Sequence, residues 1–131
     1  MQLIIDLVVI FLGYVIGSIP FGLLIVKLKT GKDIREVESG RTGGTNAMRA
    51  AGFWAGFGTA MLDILKGAVA VWIAQAITDT SWAHMLSAIT PILGHNYSIF
   101  LPERDENGKF IRLRGGAGGA DIGHLGPAFD Q

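Results

Sequence analysis

Residues 3–26 read LIIDLVVIFLGYVIGSIPFGLLIV, twenty-four positions in which Asp6 carries the only charge. At ~1.5 Å per helical residue, this run exceeds the ~30 Å hydrocarbon thickness of a bilayer and predicts a spanning helix with room to tilt. It is too long for the apolar region of a cleaved signal peptide, and no basic segment precedes it. Gly17, Ser18, Pro20 and Gly22 predict a kink in its second half or a close approach by a neighbouring helix. Asp6, near one end, is expected to reach interfacial water.

Working outward, two further runs read as spans, at 52–77 and 82–101. Only residues 78–81 separate them, which predicts an antiparallel pair. The expected fold is an all-α integral membrane protein with three transmembrane helices and two glycine-rich loops, forming one domain over residues 1–131. Trp54, Trp82 and Tyr97 fall near span ends, where an aromatic belt places them. The basic residues orient the spans. Lys27, Lys29, Lys32, Arg35, Arg41 and Arg49 lie between the first two spans, and Arg104, Lys109, Arg112 and Arg114 follow the third. The 78–81 turn and the N-terminus have none. The positive-inside rule therefore puts both basic loops in the cytoplasm and the N-terminus outside. Two separate loops then face one compartment and can share one site.

The totals agree with this. Half of the 131 residues are hydrophobic and the formal net charge is zero, with a mean hydropathy of +0.42. Neutrality argues against bulk nucleic-acid binding. With no cysteine there is no disulfide and no thiolate nucleophile. His84, His95 and His124 show no paired ligand spacing, so no metal site is expected.

The first loop reads Ser39-Gly40-Arg41-Thr42-Gly43-Gly44-Thr45-Asn46-Ala47-Met48-Arg49. Glycines let successive backbone N–H groups converge on one point, and hydroxyls, an amide and guanidinium groups add donors suited to a phosphate. The second loop reads Arg112-Leu113-Arg114-Gly115-Gly116-Ala117-Gly118-Gly119-Ala120, a candidate backbone nest beside two arginines. It lacks the G-K-[ST] ending of a nucleotide-binding P-loop. Upstream, Glu106-Asn107-Gly108-Lys109 signals a tight turn, and with Phe110 and Ile111 a small surface hairpin. Residues 121–131 read as an irregular tail.

The second span holds Asp63 and Lys66, three apart and so on one helical face. Its nine Leu, Ile, Phe and Val residues favour insertion by ~3–5 kcal/mol, and two central charges oppose it by ~5–7 kcal/mol. The pair therefore needs a polar cavity or partner helices, and its depth favours a structural role behind the loops. His95, close to the end of the third span, reads from its position as a hydrogen-bonded packing residue.

Taken together, these residues resemble the bacterial acyl-phosphate-dependent glycerol-3-phosphate acyltransferases. The first loop, with Ser39-Gly40, Gly43, Thr45-Asn46 and Arg49, is similar to that family's first signature. Leu62-Asp63-Ile64-Leu65-Lys66-Gly67 resembles its L-D-x-x-K-G, Gly17-Ser18-Ile19-Pro20-Phe21-Gly22 its first-helix signature, and Gly94-His95-Asn96 its third-span G-H. Gly115-Gly116 and Gly118 resemble its phosphate loop. The resemblance implies a multi-span enzyme of the bacterial cytoplasmic (inner) membrane that moves a fatty acyl group from acyl phosphate to the 1-hydroxyl of glycerol 3-phosphate, giving lysophosphatidate for phospholipid synthesis. No cofactor is implied, because acyl phosphate is already activated. Ser39, Arg49 and His95 become candidate catalytic residues. Gly40, Gly43, Thr45, Asn46, Arg112, Arg114, Gly115, Gly116 and Gly118 become candidates for binding substrate phosphate.

The sequence departs from the family pattern at Arg41, Gly44 and Ala117, where Asn, Ala and Lys are usual. About ten extra residues also stand around 102–112, before the glycines. The resemblance implies the N-terminal part of the family fold, in a C-terminally truncated or divergent member. The alternative is a non-catalytic three-span protein that binds an anion or packs against partner helices. A proton path through Asp63 and Lys66 would need further polar residues, which the span lacks.

Overall fold

The computed structural model describes residues 1–116, so the expectations for Gly118, His124 and the 121–131 tail lie outside the described residues. Helix α1 (Gln2–Gly17) and helix α2 (Phe21–Thr30) are followed by a short 3-10 turn (Ile34–Glu36). Helices α3 (Gly44–Ala51), α4 (Phe53–Ile77) and α5 (Ser81–Asn96) complete the helical part, and strands β1 (Pro102–Arg104) and β2 (Phe110–Leu113) pair antiparallel. Two segments are long and apolar enough to cross a membrane, Gln2–Thr30 and Phe53–Ile77.

The packing is inverted relative to a water-soluble bundle. Leu3, Ile4, Leu7, Phe11, Ile64, Leu65 and Trp72 face outward, whereas the interior holds Val9, Ala70, Ala74, Ala83, Thr59 and Ser87. Small residues inside and large apolar ones outside are what helices in lipid require, because close backbone contact replaces the hydrophobic drive. The α1–α5 contact shows it. A Cβ added at Gly17 would collide with the Pro91 backbone, and one at Gly94 with the backbone of α1 at Tyr14.

The first apolar run is expected as one kinked span, and the structure breaks it outright between Gly17 and Phe21. Pro20 supplies no N–H and its ring obstructs the preceding turn. Breaking a helix within lipid leaves carbonyls that must find donors. Here the Ser18 carbonyl accepts the Ser98 hydroxyl, and the Ile19 carbonyl accepts Lys66 Nζ at 3.0 Å. The charge in α4 thereby answers the break in the first span. Helix α2 stops at Gly31, in the left-handed region at φ 73°.

Three other expectations need revision or refinement. The third apolar helix ends at Asn96, not near Leu101, because the chain turns to bond the strand that follows. Ser98 N–H donates to the Arg114 carbonyl at 2.9 Å, and Arg114 N–H to the Leu101 carbonyl at 3.0 Å. Its sixteen residues reach ~24 Å, short of a full hydrocarbon crossing. Asp6 does not reach interfacial water. It is 2 % exposed, because the α4–α5 turn folds over it and the Thr78 hydroxyl and Gln2 amide donate to its carboxylate at 2.6 and 2.9 Å. The hairpin predicted around Asn107-Gly108 is present, with Asp105 accepting from the Asn107 and Lys109 N–H groups and Gly108 at φ 79°. The all-α fold thus carries one small two-stranded sheet.

Candidate functional site

The segment before α3 is drawn over the helix start by one side chain. Asn46, in the first turn of α3 and 2 % exposed, directs its amide nitrogen at the carbonyls of Ile34, Val37 and Arg41, at 3.3, 2.9 and 2.9 Å. Ile34 is fully buried against Val26 and Ala47. Asp33 caps the 3-10 turn by accepting the Arg35 N–H at 2.9 Å and pairs with its guanidinium at 2.6 Å. That pairing holds the Asp33 carboxyl well below the ordinary carboxylate value, at about 2, and raises the Arg35 guanidinium. The loop is therefore pinned at both ends before any ligand arrives.

Thr42 N–H donates to the Gly115 carbonyl at 3.3 Å, and Gly116 N–H to the His95 carbonyl at 2.8 Å. A Cβ on Gly43 would run into the Gly116 carbonyl, and one on Gly116 into the His95 ring. These contacts place the two glycine loops and the end of α5 around a cavity of about 380 Å³. It is lined by Ser39, Arg41, Gly43, Gly44, Thr45, Asn46, Arg49, His95 and Gly116. Among the described residues, two guanidinium groups and no carboxylate line it, so its field favours an anion. No side chain caps the start of α3 at Gly43, which leaves first-turn N–H groups for a ligand.

Of the expected site residues, Ser39, Gly43, Thr45, Asn46, Arg49, His95 and Gly116 meet at this cavity. The other binding candidates among the described residues lie beside it. Gly40, at φ 69°, packs against the Arg35 carbonyl and the Arg114 guanidinium, and Gly115 packs against the Asn96 backbone. Arg112 Nε reaches Glu103 Oε2 at 2.6 Å, and Arg114 Nε lies 3.8 Å from the same oxygen. Two lining residues, Arg41 and Gly44, stand where the sequence departs from the family pattern. They occupy the loop that the glycine spacing had already marked.

Asp63 and Lys66 lie behind the cavity wall. Lys66 Nζ is 2.9 Å from Asp63 Oδ1 and 3.1 Å from His95 Nδ1. The Asp63 contact is an ion pair by distance, without the alignment of a hydrogen bond. The link to His95 was not legible in the sequence, since the i, i+3 spacing joins Asp63 to Lys66 and says nothing of α5.

The glycerol-3-phosphate acyltransferase family model matches residues 7–121. The glycerol-3-phosphate acyltransferase of Symbiobacterium thermophilum is 40 % identical over 108 residues, which is 82 % of this chain and 52 % of that protein. One from Thermus thermophilus is also 40 % identical, over 83 % of this chain and 49 % of its own length. The chain thus spans about half the length of these relatives. The crystal structure of PlsY (YgiH), an integral membrane glycerol 3-phosphate acyltransferase, in its glycerol 3-phosphate form superposes with a TM-score of 0.67. It is 36 % identical and covers 85 % of this chain and 50 % of that one. The lysophosphatidic acid form gives 0.63 at 32 % identity, with the same coverage. Fold and sequence agree, and this chain belongs to the glycerol-3-phosphate acyltransferase family.

Proposed function

We propose that the chain carries the substrate cavity of an acyltransferase that moves a fatty acyl group from acyl phosphate to the 1-hydroxyl of glycerol 3-phosphate. One observation supports this above the others. One cavity gathers both glycine loops, two guanidinium groups and the open start of α3, with no carboxylate on its wall among the described residues. Both substrates carry phosphate, and the exposed apolar flanks of the helices offer a place for the acyl tail. In this reading Arg49 and Arg41 neutralise phosphate, while Ser39 and Thr45 donate hydroxyl hydrogen bonds to phosphate or carbonyl oxygen. Asn46 acts one step back, since its amide is already committed to the loop. Gly116 brings its backbone to the ligand. Arg112 and Arg114, paired with Glu103 beside the second loop, stand for the cation of the lysine missing at Ala117.

The proposed topology has three spans, with α5 as a short third, the N-terminus outside and the cavity on the cytoplasmic side of the bacterial inner membrane. The charge distribution supports it, with ten loop cations on one side and none on the other. The 131-residue protein in nanodiscs, supplied with acyl phosphate and glycerol 3-phosphate, is expected to bind both. Its rate of lysophosphatidate formation, set beside that of a relative of about twice its length, measures what the matched half alone contributes to the transition state. Binding of neither substrate would leave the non-catalytic membrane-protein reading in its place.

A further inference from the structure

Lys66 presents three N–H bonds and no lone pair when protonated. Two acceptors meet it, the Ile19 carbonyl at 3.0 Å and His95 Nδ1 at 3.1 Å, and the Asp63 Oδ1 charge lies 2.9 Å away. The side chain is 4 % exposed, so water does not compete for these positions. A donor-only group facing a ring nitrogen requires the lone pair there. His95 Nδ1 therefore accepts, and the ring proton of the neutral imidazole sits on Nε2. Asp63 does not overturn this assignment, because its Oδ1 lies 3.7 Å from Nδ1, too far to draw a proton onto that nitrogen. A Cβ added at Gly116 would strike the ring at Cε1 and Nε2, with Nδ1 farther off, so Nε2 is the ring nitrogen nearer the second loop. Gly116 and His95 both line the cavity.

We propose that Lys66 is a positioning residue, held by Asp63 and by the carbonyl freed at the helix break, that fixes His95 as an Nε2–H donor to the anionic ligand in the cavity. His95 is thereby assigned as a donor, and not as the base that takes the hydroxyl proton. The identity of the ligand oxygen rests on the acyl-transfer reading, whereas the ring assignment does not. The device also joins distant parts of the chain. The break at Pro20 supplies the Ile19 carbonyl that aims Lys66, and Lys66 sets the proton of a ring on α5.

The test is nitrogen NMR of the 131-residue protein in lipid bilayers, with 15N-labelled histidine rings and His95→Gln to assign the signal. The expected wild-type spectrum shows a bare Nδ1 and a protonated Nε2 at His95. Lys66→Arg, another group with donors only, should keep that pattern, and Lys66→Met should populate the Nδ1–H form. A protonated Nδ1 in the wild type would overturn the proposal without recourse to any variant, as would an unchanged pattern in a folded Lys66→Met protein. Titration with inorganic phosphate should shift the Nε2–H signal, and Lys66→Met should bind phosphate about two- to tenfold more weakly. A ring that ignores phosphate would refute the donor role. A ring that responds to phosphate in a protein that transfers no acyl group would uphold the proposal while removing the acyltransferase reading.

Discussion

Arg49 and Asp33 sit on the same loop and do different work. Arg49 lines the cavity on the last turn of α3, and in the proposed reading its loss removes a charge-assisted contact to phosphate. Arg49→Ala should weaken glycerol 3-phosphate binding by ~1.5–3 kcal/mol, about ten- to over a hundredfold, and Ser39→Ala by less. Calorimetric titration of the folded variants checks both. Unchanged affinity in Arg49→Ala would make the loop a connector. Asp33 acts on the fold of the loop, and its carboxyl is held at about 2 against an ordinary 3.8. A folded-state value below the unfolded one stabilises the native loop fully above about pH 4. That contribution is lost as pH falls from there towards 2. Protection of the Ile34 to Val37 amides, relative to the intrinsic exchange rate at each pH, should fall over that window, and Asp33→Asn should already be poorly protected at pH 5 and lose the dependence.

Among the elements, α1 and α5 show what close packing in lipid demands of a sequence. Gly94 lies on the α1 backbone, with Ser18 N and Gly17 C within 3 Å of where a Cβ would stand, whereas nothing lies within 4 Å of the same point at Gly67. Gly94→Val should destabilise the protein by at least ~1–3 kcal/mol through overpacking. Gly67→Ala should stabilise it by ~0.5–1 kcal/mol through reduced backbone freedom. Unfolding in detergent followed by circular dichroism separates the two, and equal effects would remove the packing argument. Both glycines look alike in the sequence, as residues of an apolar run. Hydropathy reads which segments enter lipid, and it identified α4 nearly to the residue. The early end of α5 was set by partners from elsewhere, and the break that Pro20 makes in the first span, where a kink is legible in the sequence, is satisfied by a partner that is not. Lys66 made the break tolerable, and Arg114 drew the chain away after Asn96.

At the level of the whole molecule, the arrangement depends on both basic loops facing one compartment. Cysteines placed at Thr42 and Gly108 should react only with a reagent applied from the cytoplasmic side, and one at Thr80 only from outside. Labelling of Thr42 and Gly108 from opposite sides would contradict the proposed topology. The cavity wall was largely legible before the structure, because glycine and hydroxyl spacing reports backbone geometry directly, as Ser39, Gly43, Thr45 and Gly116 show. What spacing does not report is which distant group stands behind the wall. Nothing in the sequence near His95 announces Lys66, whereas the turn read at Asn107-Gly108 already sets Glu103 across the hairpin from Arg112.

The bond from Thr42 to Gly115 and the one from Gly116 to His95 carry a consequence for the order of events during synthesis. The first glycine loop leaves the ribosome long before the second exists, so α3 and its capped turn must wait, open on one side, while α4 and α5 are inserted. Closure of the cavity is a late, long-range step, whose entropic cost grows only slowly with the length of chain between the loops. An anion that binds only the closed form should then favour completion of the fold itself, by ~2.7 kcal/mol at a hundred times its dissociation constant. Nascent chains supplied with glycerol 3-phosphate should reach protease resistance in greater yield than chains made without it.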